Sequence, residues 1–104
     1  MRRIIHSDIV AAARVLLCVP TEQRDQMITT LFEIAHLGDK LRRRLGRKNL
    51  LFGDGTLRGA ACLFEMKPQR NMSDIEFGQC FLMVLAKMQD KMRAHQARKL
   101  HKNL

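Results

Sequence analysis

The chain has 104 residues, 46% of them hydrophobic, with two prolines, six glycines and a formal charge of +9. A chain of this length and composition suits one compact domain and leaves no room for a second. No apolar run approaches the ~18 residues a membrane-crossing helix needs.

The excess charge is segregated. Residues 40–48 carry six Lys/Arg and no acid, and residues 87–104 carry six against the single Asp90. The remainder sums to about −2, an ordinary balance for a folded body. Two cationic segments on a near-neutral body point to a polyanion or an acidic protein surface as partner.

The start, Met1-Arg2-Arg3 before an apolar stretch, superficially matches a signal peptide. Asp8 and Arg14 interrupt the run and no small-residue cleavage site follows, so export is not expected. Leu17 directly before Cys18 likewise argues against lipoprotein processing. Cys18, Cys62 and Cys80 are far apart in apolar contexts and read as buried small hydrophobes in a reducing, cytoplasmic setting.

Ile9, Ala12, Ala13, Leu16 and Leu17 draw one apolar stripe and predict a helix from about Asp8 to Val19. Pro20 stops it, and Thr21 can cap a second helix with Glu22 and Asp25 near its positive end. The seam of that helix runs through Met27/Ile28, Leu31, Ile34/Ala35, Gly38, Leu41 and Leu45, and Gly46 supplies a left-handed terminator. A loop follows to Gly55, Thr56 can cap a short helix to about Met66, and Pro68 closes it.

Ser73-Asp74-Ile75-Glu76 has the spacing of a capping box with Ser73 as cap. Behind it Ile75, Phe77, Phe81, Leu82, Val84, Leu85 and Met88 predict a helix apolar on nearly every side, the central element of a bundle. Residues 93–104 are expected to extend past the body as a basic, fraying end. The whole predicts an all-α fold, a small bundle of three to four helices, two long and antiparallel, around Leu31, Phe81, Leu82 and Leu85.

The opening His6-x-Asp8, the Ala11-Ala12-Ala13-Arg14 helix, the proline turn, the arginine-rich helix end and the Gly53-Asp54-Gly55-Thr56-Leu57 loop resemble a family of short, uncharacterised alphaproteobacterial proteins. The resemblance runs from about Ile4 to Ala61 and more weakly over Ser73 to Ala86. It implies a small helical cytosolic protein with no assigned activity. This chain departs from the family pattern at Asn49 and Phe52, where the family has histidine and tryptophan.

The candidate polyanion-binding residues are Lys40, Arg42, Arg43, Arg44, Arg47 and Lys48. One or two cations would complement the helix end; six exceed what a cap requires. Backbone contact is expected rather than base reading, because the helix after Pro20 is too long for a helix-turn-helix and the third offers only Gly59, Ala60, Ala61 and Cys62. With no Trp or Tyr, Phe52 is the one ring expected to be exposed for stacking.

Gly53-Asp54-Gly55 reads as a tight turn rather than an anion nest, since Asp54 would repel a phosphate. Glu33 and His36 match a di-iron Glu-x-x-His element that must occur twice and here occurs once, so they read as a solvated pair. His6 reads as part of a helix start, no metal or cofactor is expected, and no catalytic constellation is legible. Among the seven methionines, Met83, Met88 and Met92 suit either core filling or an adaptable groove for a partner helix. The leading expectation is a small cytosolic binding protein whose basic helix ends contact nucleic-acid backbone or another polyanion without strong sequence preference. The alternative is a protein-interaction or regulatory adaptor with no nucleic-acid role, for which the apolar flank of the last helix offers a dimer contact.

Overall fold

The computed structural model describes residues 2–47, 49 and 51–102. Its elements are α1 (His6–Leu16), a single 3₁₀ turn (Thr21–Gln23), α2 (Arg24–Leu45), α3 (Leu57–Ala61) and α4 (Ile75–Lys102). Among the described residues the extended pairing is confined to one isolated bridge, Asn49 with Gly53. The fold is an all-α small bundle with two long helices, as its periodicities predict.

The centre of the bundle is α1, not α4. From Asp8 to Leu17 every residue but Arg14 is buried. The reason lies in Ala11, Ala12 and Ala13: short side chains let both α3, whose Ala60 and Ala61 are buried, and α4, whose Phe77, Cys80 and Val84 are buried, pack closely on it. Three of the four predicted core residues pack there. Leu31 is fully buried and Phe81 and Leu85 pack against the core, but Leu82 is 65% exposed and Ile75 79%. An apolar residue on every side of a helix does not mean a partner on every side.

The direction of the long helices also differs from the expected antiparallel pairing. Arg24, at the start of α2, reaches Glu76 in the first turn of α4 at 3.5 Å, so both leave from the same end of the bundle. The antiparallel neighbour of each is α1, whose His6 ring lies 5.9 Å from that of Phe81 while Arg24 binds its other end.

Two buried charges hold this arrangement. Asp8 accepts from the amide of Ile5 at 2.8 Å, capping α1, and from the amide of Arg58 at 2.8 Å, anchoring the start of α3. Arg24 donates from Nε to the carbonyls of Leu16 and Val19, at 2.9 and 3.0 Å, which satisfies the end of α1. Asp8 thus takes the helix-start role expected of the His6 region.

The termini show which local rules hold. Gly46 ends α2 with φ 73°, and the Thr56 hydroxyl accepts from the Gly59 amide at 2.9 Å, both as predicted. The third helix, however, stops at Ala61 rather than near Met66. Thr21 opens a 3₁₀ turn instead of capping α2, which starts three residues later. The cap of α4 is Asp74, whose Oδ1 accepts from the Phe77 amide at 2.9 Å. Ser73, the expected cap, instead donates its hydroxyl to Asn71 at 3.0 Å. A carboxylate one residue further along offers a stronger acceptor to the same orphan amides.

The cysteines are all free thiols: Cys80 is buried, Cys18 half-buried and Cys62, at the end of α3, exposed, against expectation for that one. Burial pushes the Cys80 thiol above its ordinary pKa.

A candidate anion-binding groove

The loop between α2 and α3 is a tight turn fixed from both sides. The Asn49 carbonyl of the side chain accepts from the amides of Leu51 and Phe52 at 2.7 and 3.2 Å. Asp54 accepts from the Thr56 amide and hydroxyl at 3.0 and 2.6 Å. Burial works to raise the Asp54 pKa, but these bonds outweigh it and hold the carboxyl below its ordinary value. A side chain at Gly38 would strike the Phe52 carbonyl, so the loop backbone lies directly against α2. Phe52 is half-buried there rather than an exposed stacking ring. The loop in turn holds the N-terminal segment, since the Arg2 amide donates to the Gly55 carbonyl at 3.0 Å.

That segment forms one wall of a groove of about 760 Å³ whose other walls are α2 and α4. Its lining combines Ile4, Phe32, Met88 and Met92 with Arg2, Arg3, Arg43, Lys91 and Arg98, and adds Glu33, His36 and His95. Five permanent cations therefore face one carboxylate. His36 feels this: desolvation first, then the charges of Lys40 and Lys91 among others, hold its pKa below the ordinary value against the opposing pull of Asp39.

The predicted site residues divide. Lys40, Arg42, Arg43 and Arg44 occupy the last turns of α2 and Arg47 the loop beyond Gly46, all exposed. Lys48 lies outside the described residues. Of the described ones only Arg43 lines the groove, and it is already paired with the buried Asp39 at 3.0 Å. Arg42 is two residues from Lys40 and Arg44, hence on a different flank of α2.

Sequence reasoning missed the contribution of Arg2 and Arg3, whose only signal was their adjacency. Glu33 and His36, read as a solvated pair, are both exposed, and they line this groove together with Met88 and Met92. Among the described residues no group of three or more His, Cys, Asp or Glu comes together in metal-binding geometry, and no helix is long and apolar enough to cross a membrane.

The small helical bundle thus gathers cations from its N-terminal segment, α2 and α4 over an apolar floor. The chain belongs to a family described as a domain of unknown function, DUF7742, whose model matches residues 2–88. No curated protein and no solved structure matches it. Met88 is thus the last matched residue, and Lys91, Met92, His95 and Arg98 of the groove lie beyond the matched part.

Proposed function

We propose that this protein is a small binding protein whose basic helix ends contact nucleic-acid backbone, or another polyanion, without strong sequence preference. The observation that carries the reading is the convergence of its two cationic segments: Arg43 lines the same groove as Lys91 and Arg98. Beside that groove Lys40 and Arg44 stand exposed on one flank of α2. From Gln89 to Lys102 every residue of α4 is exposed. That stretch is an arm about 20 Å long, enough to follow several phosphates along a duplex.

The test is duplex binding as a function of salt. The slope of log affinity against log salt should be near −0.9 for each phosphate neutralised. Lys40→Ala with Arg44→Ala should make it shallower by about 1 to 2 and weaken all sequences alike. These two are chosen over Arg43 because removing Arg43 disturbs the buried Asp39 and mixes stability with binding. An unchanged slope in the folded variant would clear α2 of a phosphate role.

A second reading, the interaction adaptor, is favoured by Ile75 and Leu82, which lie seven residues apart on one exposed face of α4. Absence of duplex binding at ~50 mM salt, with a sedimentation mass twice that of the chain, would move the conclusion to that reading.

A further inference from the structure

We propose that the groove between the N-terminal segment, α2 and α4 is the docking site for an acidic amphipathic helix of a partner protein. The inference goes beyond the phosphate reading, because it rests on the floor of the groove rather than on its charge alone. Phe32 is 2% exposed, Ile4 and Met88 are half-buried and Met92 is 45% exposed, so the floor is apolar and grades outward to the cationic rim. A phosphate backbone has no apolar surface to lay on such a floor. An amphipathic helix has both faces, and the helix-in-groove mode uses them in this way.

Size and direction agree. Along α4 the lining residues Met88, Lys91, Met92, His95 and Arg98 recur at helical spacing and define a single face. That face is about 15 Å long, and three turns of a helix half-sunk beside it displace on the order of 600 Å³. The groove offers about 760 Å³. Methionine suits a floor that must adapt to a partner's side chains, because its unbranched thioether repacks at little cost. The third wall is fixed in advance by the bond from the Arg2 amide to Gly55, which lowers the ordering cost of binding.

Charge selects among occupants. Cations arriving from three separate segments, spread along the rim, are more than one small-molecule headgroup would engage. A second copy of this chain would bring a formal charge of +9 to a rim of the same sign. A helix with Glu or Asp on its outer face and Leu or Ile on its inner face complements both parts.

The probes are four synthetic peptides of about fourteen residues, each with glutamates on one helical face and leucine or isoleucine on the other, and four scrambled versions of identical composition. Binding to the full chain is read by fluorescence anisotropy and by the methyl carbon resonances of the methionines. At least one amphipathic peptide should bind about tenfold or more tighter than its scrambled version, and should shift the Met88 and Met92 methyls. Lys91→Glu with Arg98→Glu should weaken it by about tenfold or more. Met92→Asp, at an exposed position the fold tolerates, should do the same.

Three results would overturn the proposal: equal binding of scrambled and amphipathic peptides, no saturable binding of any of the four, or peptide binding indifferent to Met92→Asp in the folded protein. Stronger Met92-dependent binding to phosphatidylglycerol vesicles than to every peptide would assign the groove to a lipid surface instead and also overturn it. Duplex affinity is measured in parallel, so loss of the nucleic-acid reading and loss of this one are told apart.

Discussion

The two ends of this molecule use charge in opposite ways. Around α1 the charges are few and buried: Asp8 is 3% and Arg24 7% exposed, and their hydrogen bonds go to amides and carbonyls of the chain itself. At the far end of α2 and along the second half of α4 the charges are many and exposed, and their ion pairs are solvent-facing at one or both partners. A buried charge must be fully matched internally or the fold fails. An exposed cation needs no internal partner, and so stays available to a ligand. The same residue type, arginine, is therefore a structural clasp at position 24 and a candidate ligand contact at position 98.

The sharpest way to break this contrast is to remove one cation from each end. Arg24→Ala leaves the end of α1 without its donor, takes away one of the two arginines that reach Glu76, and should cost about 3 kcal/mol in chemical denaturation. Lys99→Ala, on the exposed arm, should change stability by less than ~0.5 kcal/mol. Equal effects would mean that the arm is packed in solution or that Arg24 is not the clasp described.

A smaller effect separates neighbouring residues at the start of α4. Asp74→Ala should lower stability by about 1 kcal/mol and Ser73→Ala by a few tenths at most, since the helix amide is bonded to Asp74. The reverse order would restore Ser73 as the cap. It would also require a different first turn.

The smallest expected effect is on pH dependence. The amide of Phe77 first, aided by Arg70, holds the Asp74 carboxyl below its ordinary pKa, and the Thr56 bonds do so for Asp54 against its burial. A depressed carboxylate favours the folded state above its unfolded pKa and loses that contribution as pH falls through the folded value. His36, lowered by desolvation and nearby cations, acts in the same direction nearer neutrality, because protonation is easier in the unfolded chain. Thermal midpoints should therefore decline slightly as pH falls through the ordinary histidine range near 6.5, and further below about pH 4. The decline below pH 4 should be smaller in Asp74→Ala. A midpoint rising on acidification would contradict all three shifts.

Much of the local structure was legible because its causes are local. The alanine-rich stripe of α1, the left-handed Gly46 and the hydroxyl cap of Thr56 each depend on residues within a turn or two. Misreadings arose where two local options competed or where burial depended on distant neighbours. Ser73 and Asp74 are both good caps, and only the placement of the preceding Asn71 turn chose between them. Leu82 is as hydrophobic as Leu31, yet α1 lies against Phe77, Cys80 and Val84 and leaves Leu82 in water.

The candidate site followed the same division. The cationic composition of residues 40–48 and 87–104 is written in the chain, since charge needs no fold to be counted. Their convergence is not. Arg2, Arg43 and Arg98 meet on one groove because the loop grips the N-terminus at Gly55 and because α2 and α4 leave from the same end of the bundle. Periodicity and capping thus determined which segments would be helices and which would carry charge. Contacts between residues far apart in sequence, set by how closely the alanines of α1 let its neighbours approach, decided which of those charges share a surface and what apolar floor lies beneath them.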